Sequence, residues 1–332
     1  MNHRFRRIGY AVALLLILAS PTQKLPAASC TTQGMLTATD REALLAVANP
    51  LAEAIATQNT AAVKAALLPA ISNDWETIQS VVLRSKPLFE GGQLHWRTMY
   101  LLDASDQKTA ADTEFFCTNS DSTLTVTVNL HSLPPGRYAL MIGDYLNTPL
   151  AGQLAFILAD DHGWKLGGLY AREGALDGRD GVAFWKQARA DAKSTDNWSA
   201  WFSYDAARWL LLPVEFLASP NLEKLDSEQQ QVSSPMNSLP LVLSGAGADA
   251  GKSWKLTAVR LDTTLHSADL ALTYDGSGIT DPVAARAEAV AVMSALLRVH
   301  PELRQSFHGL WAYAEKDGRQ TFAIEQPMKS IP

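Results

Sequence analysis

The sequence has few cysteines and no clustered positive charge. Only two of its 332 residues are cysteines, Cys30 and Cys117, too few for the Cys-rich ligand sets of structural zinc sites. Acidic residues outnumber basic ones by 34 to 28, the formal net charge is −6, and no basic run follows residues 1–7. Because nucleic-acid binding needs a positive surface patch, this composition argues against a nucleic-acid partner.

Long apolar runs are scarce as well. The most pronounced is AVALLLILA, residues 11–19, which is shorter than the roughly 20 residues that cross a bilayer. It follows the arginine-rich residues 4–7 and precedes small and polar residues up to Ser29. This is the layout of a secretory signal peptide over residues 1–29. We therefore expect an exported protein, either periplasmic or extracellular and open to outer-membrane association, with no transmembrane span once the signal is removed.

Cleavage near Ser29 leaves Cys30 close to the new N-terminus, where its thiol can form a disulfide or carry a lipid. An even number of cysteines in an oxidising compartment favours a disulfide, here Cys30–Cys117. Such a bond closes a loop of about 90 residues and restrains the unfolded chain by roughly 4 kcal/mol. In the alternative, Cys30 carries a lipid anchor. We prefer the disulfide, because Ala27 stands where a lipobox usually has leucine.

Catalytic signatures are missing too. The sequence has no Gly-x-Ser-x-Gly nucleophile motif, and no two of its histidines are spaced as zinc ligands on a helix or strand. It predicts no cofactor and no metal site, and it identifies no catalytic residue. We therefore favour a protein that is not an enzyme.

One stretch satisfies a relaxed phosphate-loop pattern. Residues 246–253, AGADAGKS, would place Lys252 on the terminal phosphates of a nucleotide and Ser253 on magnesium. That motif needs a helix beginning at Lys252, whereas residues 254–261 have the alternation of a strand. We therefore interpret the stretch as a flexible loop.

Two periodicities divide the first part of the mature chain, residues 30–173. Apolar residues recur at helical spacing over residues 37–68 and 75–86, with Thr39 and Glu42 as an expected capping box. The period then changes to that of strands, which are expected in one antiparallel sheet over 95–103, 113–118, 124–130, 137–144, 152–159 and 164–171. Helices followed by a run of strands predict an α+β domain.

Two segments of this domain resemble the NTF2-like superfamily, whose likeness extends over residues 37–172. They are the helix AEAIATQNTAAVKAALL and the late strand GWKLGGLYAR. The resemblance implies helices that cover a strongly curved sheet shaped as a cone, in a superfamily of isomerases, dehydratases and non-catalytic binding domains. Glu114, Asp144 and Tyr145 are candidates for acid–base chemistry in such a cone.

A β-sandwich is the alternative fold for the same domain. The segment LPPGRYALMI resembles a turn and strand that are common in immunoglobulin-like and carboxypeptidase-regulatory-like modules. We prefer the cone, because a sandwich does not need the leading helices.

Tryptophan, by contrast, is plentiful and clustered. Four of the nine tryptophans lie in a predicted pair of helices with a break at residues 194–197, within a segment over residues 177–232 that ends in a polar helix. One face of the second helix carries Trp198, Trp201, Phe202, Asp205 and Trp209. Apolar residues at helical spacing usually form a packing face, and we prefer that interpretation. The alternative is a groove that binds a ligand or partner through Trp201, Trp209 and the polar anchor Asp205.

The ends of this hairpin have further signals. Asp196 or Asn197 is expected to cap the second helix, and Pro213 to end it. Trp185 and Pro213 are spaced as the early Trp and late Pro of a tetratricopeptide-type repeat, so residues 182–215 resemble a single such repeat. The resemblance implies a helical hairpin.

A Ser/Pro-rich linker, residues 233–240, predicts a boundary before a C-terminal domain over residues 241–328. Helix 282–299 has Asp281 as its expected N-cap. Strands are expected over 254–261, 268–274, 307–314 and 320–325, the last two joined by a tight turn. This order predicts a ββαββ domain.

Two functions are compatible with these observations. The first is an exported, non-catalytic binding or scaffold module of the cell envelope, in which the aromatic hairpin holds two α+β domains together and one surface binds an envelope protein. The alternative is a small-molecule binding protein, or an isomerase- or hydrolase-like enzyme, with an apolar ligand in an NTF2-like pocket.

Overall fold

The computed structural model describes residues 28–332, so the predicted signal peptide lies outside the described residues except for its last two. The helices are α1 Ala38–Ala56, α2 Thr60–Ala65, α3 Trp75–Arg84, α4 Lys86–Phe89, α5 Gly181–Lys193, α6 Asn197–Leu211, α7 Pro220–Gln230, α8 Pro282–Val299 and α9 Leu303–Ser306. The strands are β1 Ser29–Thr32, β2 Gln93–Asp103, β3 Ala111–Thr118, β4 Thr125–Leu133, β5 Arg137–Leu146, β6 Gly152–Asp160, β7 Trp164–Glu173, β8 Ala175–Leu176, β9 Arg179–Asp180, β10 Leu217–Ala218, β11 Leu241–Ser244, β12 Ser253–Asp262, β13 Asp269–Asp275, β14 Gly309–Lys316 and β15 Arg319–Pro327. The α+β class is confirmed.

The first part of the chain is built in three layers around a central antiparallel sheet of order β1-β2-β5-β6-β7. Helices α1 to α4 cover one face, where Leu44, Ile55 and Phe156 form a fully buried core. The other face packs on a small sheet of order β10-β4-β3, with Phe115 and Val128 in the second core. Strand β5 supplies alternate residues to the two cores, because successive side chains of a strand point to opposite faces.

The prediction of a single sheet for these strands was wrong. In β3, buried and exposed residues alternate, which suits an outer layer with one face in water. Strands β5 and β6 are buried on both faces and therefore occupy the middle layer. The chain changes sheets at Pro134-Pro135-Gly136, between β4 and β5. The two prolines there have no N–H to donate to a ladder, so this corner leaves the sheet hydrogen-bonding pattern.

A disulfide joins the two sheets of this part. Cys30 in β1 and Cys117 in β3 are bonded, with their Cα atoms 5.1 Å apart, as the sequence predicted. Cys117 is buried in the core between the sheets, and Cys30 packs against that core. The Cys30 sulfur in this bond is not available for a lipid anchor.

Two helix starts differ from the prediction. Helix α1 is capped by Thr37, whose Oγ1 accepts from the Asp40 backbone N–H, rather than by Thr39. Asp196 stands at the N-cap position of α6, but its side chain makes no capping hydrogen bond. In both places several polar residues follow one another, so local sequence does not distinguish which of them adopts the cap conformation.

The last part of the chain is a five-stranded sheet of order β11-β12-β13-β14-β15. Strands β13 and β14 are parallel and are connected through α8, while the remaining pairs are antiparallel. The predicted ββαββ order is present, with β11 and α9 as additions. Asp281 caps α8 as expected, accepting from the N–H groups of Val283 and Ala284. Asp317 and Gly318, both at positive φ, form the predicted tight turn between β14 and β15.

The hairpin α5–α6 shares its core with this last sheet. Buried side chains of the hairpin, Phe184 and Phe202 among them, belong to one cluster with Leu272 of β13, Leu296 of α8 and Leu310 of β14. The polar helix α7 packs beside α6 and adds Leu225 to the same cluster. Over residues 28–332, no helix has both the length and the apolar character required to cross a bilayer.

Candidate functional site

The aromatic stripe of α6 is mainly a packing face, as we preferred from the sequence. Trp198 and Phe202 are buried in the core shared with the C-terminal sheet. Trp198 stacks on the ring of His300, with the ring centroids 4.0 Å apart. Trp201 and Trp209 are half-buried at the edge of this core, so the aromatic rings that a ligand could reach lie along the border of the stripe.

Asp205 is the polar exception on the same helix. Its Oδ1 accepts a hydrogen bond of 2.6 Å from Gln229 Nε2 of α7, and that amide also donates to the Trp201 carbonyl at 3.2 Å. Burial raises the pKa of Asp205 to about 6, although the Gln229 bond and the charge of Arg208 act to lower it. A carboxyl with a pKa near neutrality is suited to accept or release a proton, or to bind a donor group of a ligand.

Asp205 and Trp209 open onto a cleft of about 500 Å³, which we call the junction cleft. Three separate parts of the chain form its walls: the end of β7, the end of α6 with the following segment, and the end of β12 with its loop. The lining residues are Arg172, Asp205, Arg208, Trp209, Leu212, Glu215, Arg260, Leu261, Asp262, Thr263 and Thr264. Trp201 does not line this cleft, so the structure unites two of the three predicted binding residues.

Arg172 fastens the end of β7 to the end of α6. Its guanidinium lies 4.7 Å from the centre of the Trp209 ring, in a cation–π contact. Its Nη1 donates to the carbonyls of Trp209 and Leu212, which are among the last acceptors of the helix and are left free by helix geometry. A cation at this helix end also complements the helix dipole.

Glu173, the next residue, continues the connection to the C-terminal sheet. Trp209 Nε1–H donates to Glu173 Oε2 at 3.1 Å, and His266 Nδ1 lies 2.8 Å from Glu173 Oε1. His266 belongs to the loop between β12 and β13. The nearly buried Glu173 carboxylate therefore joins the central sheet to the hairpin, through Trp209, and to the last sheet, through His266.

The other charges of the cleft are arranged in pairs. Arg260 Nη1 donates to Asp262 Oδ2 at 2.6 Å, and Arg208 Nε donates to Asp226 Oδ1 at 3.0 Å. Burial acts to raise the pKa of Asp262, but the bonds from Thr264 and Arg260 outweigh it and hold that pKa below its usual value. Asp205, in contrast, has a neutral amide as its direct partner. It is therefore the carboxylate of the cleft with most to gain from a new donor.

No model of a known protein family, no curated protein and no solved structure matches this chain.

The acid–base set proposed for a cone interior is not assembled. Glu114 is exposed on β3, in the outer sheet. Asp144 and Tyr145 are consecutive on β5 and point to opposite faces of the central sheet. The Tyr145 hydroxyl is buried against the helices and donates to the Ala52 carbonyl, and burial raises its pKa to about 12. These three residues therefore do not form a catalytic site.

The phosphate-loop-like stretch, residues 246–253, is not followed by the helix that a phosphate loop needs. Residues Gly247–Asp249 form a short 3-10 turn, and strand β12 begins at Ser253 where a phosphate loop needs a helix. The Lys252 ammonium is paired with Asp249 at 2.8 Å. The structure agrees with our interpretation of this stretch as a loop.

Sequence reasoning missed Arg172 and Arg260, which line the cleft, and Glu173, which contacts Trp209 beside it. Each lies near the end of a strand, and each contacts a segment far away in the sequence, so no local spacing marks it. Asp205 was found because a carboxylate on an aromatic helix face is conspicuous. A weak signal exists for two of the three, because Arg172-Glu173 is a charged pair that follows the apolar residues of β7.

Proposed function

We propose that this chain is an exported, non-catalytic binding module of the cell envelope and that the junction cleft is its binding site. The observation that carries the proposal is the half-buried Asp205 beside Trp209, with a pKa raised to about 6, in a cleft of about 500 Å³. Clefts where separate segments meet are usual places for ligands. The proposal assigns Asp205 as the acceptor for a donor group of the ligand, with the half-buried Trp209 ring as an apolar contact.

The proposal of a scaffold role is supported by the contacts of the hairpin. Arg172 and Glu173 connect it to the central sheet, and its own core is shared with the C-terminal sheet. Helices on one face of an antiparallel sheet support the NTF2-like relationship of residues 37–172. A single two-helix hairpin supports the tetratricopeptide-like one for residues 182–215. Export is supported by the Cys30–Cys117 disulfide together with the signal-like sequence of residues 1–29.

Native mass spectrometry of the protein purified from the cell envelope tests this function. We expect a bound small molecule or an envelope protein, in addition to the mass of the chain that begins near Cys30. In the variant Trp209→Ala that bound component is expected to be lost. Trp164→Ala is the matched control, because Trp164 is also half-buried and also lies beneath an arginine, with the Arg137 guanidinium 5.8 Å from its ring centre.

Four results would contradict the proposal. A bound component that survives in Trp209→Ala, or that is lost equally in Trp164→Ala, would exclude the junction cleft as its site. A chain that carries nothing in native spectra would argue against a binding function. Recovery of the protein from the cytosol and not from the cell envelope would argue against export.

A further inference from the structure

A cluster of three ionisable side chains lies at one end of the C-terminal sheet, outside the junction cleft. Asp269 is the first residue of β13, His308 directly precedes β14, and Glu325 lies in β15. Strand register brings them together, since Asp269 pairs with Gly309, and Trp311 pairs with Glu325. One ligand atom from each of the three side chains lies within 4.8 Å of the other two.

The two carboxylates of this cluster are short of hydrogen-bond partners. The Asp269 side chain is 1% exposed, and its Oδ2 has no hydrogen-bond partner. Glu325 Oε1 is also buried without a partner. Leaving such acceptors unpaired costs about 1 to 3 kcal/mol each, and more for charged groups. Trp311 Nε1–H lies beside Asp269 but makes no hydrogen bond of normal geometry to it, so these carboxylate oxygens keep capacity for a further partner.

The local charge is also unbalanced. His308 Nδ1 lies 3.0 Å from Asp269 Oδ1, and it is the ring that faces the two carboxylates. Asp177 adds a third carboxylate nearby, with its Oδ2 accepting from the Ala268 backbone N–H. Buried carboxylates are normally paired or coordinate a metal ion, so a bound cation would balance this group of charges.

Gly309 keeps the space between the carboxylates free of protein. A Cβ at this position would lie 2.7 Å from Glu325 Oε1, closer than real Cβ contacts allow, and 3.0 Å from Asp269 Oδ1, which is tighter than most. Only glycine leaves both oxygens accessible from this side. Trp311, one of the neighbours of Asp269, has a buried Nε1–H without a partner, which suits an outer-shell donor to a ligating carboxylate.

We propose that Asp269, His308 and Glu325 bind one divalent transition-metal ion, with Zn²⁺ as the best match. Imidazole together with carboxylate oxygens is a common ligand set for zinc. Three protein ligands leave a fourth position of a tetrahedral ion for water or an outside ligand. His308 is 42% exposed, so the site is reached from solvent. The histidine spacing predicted no metal because these ligands come from three separate chain segments.

Isothermal titration with Zn²⁺ tests the site on the folded, disulfide-bonded protein. The chain is purified without a polyhistidine tag, stripped with chelator and titrated with zinc chloride. We expect one equivalent to bind and the midpoint of thermal unfolding to rise, because a ligand bound only by the folded state stabilises it. His308→Gln is expected to weaken binding by more than about tenfold, since even outer-shell changes cost about 10- to 100-fold.

His131→Gln is the matched control. His131 also stands beside a carboxylate, with its Nδ1 3.3 Å from Asp112 Oδ2, but both side chains are exposed on another sheet. Zinc binding is expected to be unchanged in this variant. No saturable binding in the native chain, or equal loss in the two histidine variants, would overturn the proposal. If His308→Gln fails to fold by circular dichroism, Glu325→Gln replaces it, and undiminished binding in that variant would overturn the site.

Discussion

At the scale of single residues, Asp205 departs from ordinary packing. It is a carboxylate at the edge of an aromatic core whose direct partner is the neutral amide of Gln229, so its charge is weakly compensated. The sequence identified this residue, because one acid on an apolar helix face is visible in the spacing. It did not identify Gln229, which approaches from α7 and is fixed only by tertiary packing.

The substitution Asp205→Asn removes the negative charge of this side chain and keeps its hydrogen bond. The asparagine Oδ1 still accepts from Gln229, but it cannot ionise. The folded-state pKa of about 6 lies above the ordinary value of 3.8, so the folded chain binds the proton more tightly. The stability this gives is present below about pH 4 and is lost as the pH rises through about 6. Relative to the native chain, Asp205→Asn is therefore expected to gain up to about 3 kcal/mol between about pH 4 and about pH 7.5.

Urea unfolding of both proteins at the two pH values measures this difference. The carboxyl carbon shift of Asp205 followed by NMR gives its pKa independently. A stability difference that does not change with pH, together with an ordinary pKa, would show that Asp205 is well solvated and paired.

At the scale of elements, one carboxylate of the polar helix α7 binds two side chains of α5. Glu228 accepts from Trp185 Nε1 at 2.8 Å, and from Arg189 Nε and Nη2 at 2.7 and 2.8 Å. Both donors lie on α5, so a helix with little apolar surface is fixed to another by a bidentate ion pair. The Arg189 bonds are the main reason that the pKa of Glu228 lies below its usual value.

Glu228→Gln is expected to destabilise the protein by about 1 kcal/mol, since an amide retains only one acceptor oxygen for three donors. Half-exposure of Arg189 keeps the effect modest. Chemical unfolding followed by tryptophan fluorescence gives the change. Glu223→Gln is the control on the same helix, because Glu223 is exposed. Equal effects of the two substitutions would mean that the pair with Arg189 contributes no more than general helix charge.

The sequence predicted best those helices, strands and turns that are long or regular. Helix α8, the turn at Asp317-Gly318 and the alternating strands were predicted because their signals are local. The separation of β3 and β4 into an outer sheet was not, because strand pairing depends on which face each neighbour buries. The continuous apolar residues of β6, LAFILA, were the available sign of a strand buried on both faces.

At the scale of the whole molecule, the three cores meet where β7 ends. Arg172 and Glu173 contact α6, the segment after it and the loop before β13, so two consecutive side chains connect parts that are distant in sequence. The sequence periodicity does not predict these contacts of Arg172 and Glu173, because they depend on how the completed sheets and helices pack against one another. The junction cleft is a consequence of that packing.

Arg172→Lys is expected to weaken this connection by about 1 to 3 kcal/mol, because lysine lacks the planar group that stacks on Trp209 while donating to two carbonyls. Arg137→Lys is the comparison, since Arg137 lies over Trp164 but its side chain is 38% exposed. Thermal unfolding measures both. A larger loss in Arg137→Lys would show that Arg172 is not the main link at the junction.

Removing the disulfide with Cys30→Ser and Cys117→Ser together is expected to lower the free energy of unfolding by about 4 to 5 kcal/mol in the entropic model. The reason is the length of the closed loop, because the two residues are 87 positions apart. Urea unfolding of the double variant and of the native protein gives the value. An unchanged midpoint would mean that the unfolded chain is already compact between these positions.

The position of Cys30 also sets an order of events in time. Cys30 is synthesised early in translation, whereas its partner Cys117 in β3 is added 87 residues later. At about 5 to 20 residues per second, synthesis leaves that thiol alone for roughly 4 to 17 s. Among the described strands of the central sheet, β1 pairs with β2, which begins at Gln93. Strand β1 therefore has its sheet partner and its disulfide partner before β5, β6 and β7 are made. Until Cys117 appears, the Cys30 thiol is open to any oxidant or foreign cysteine it meets.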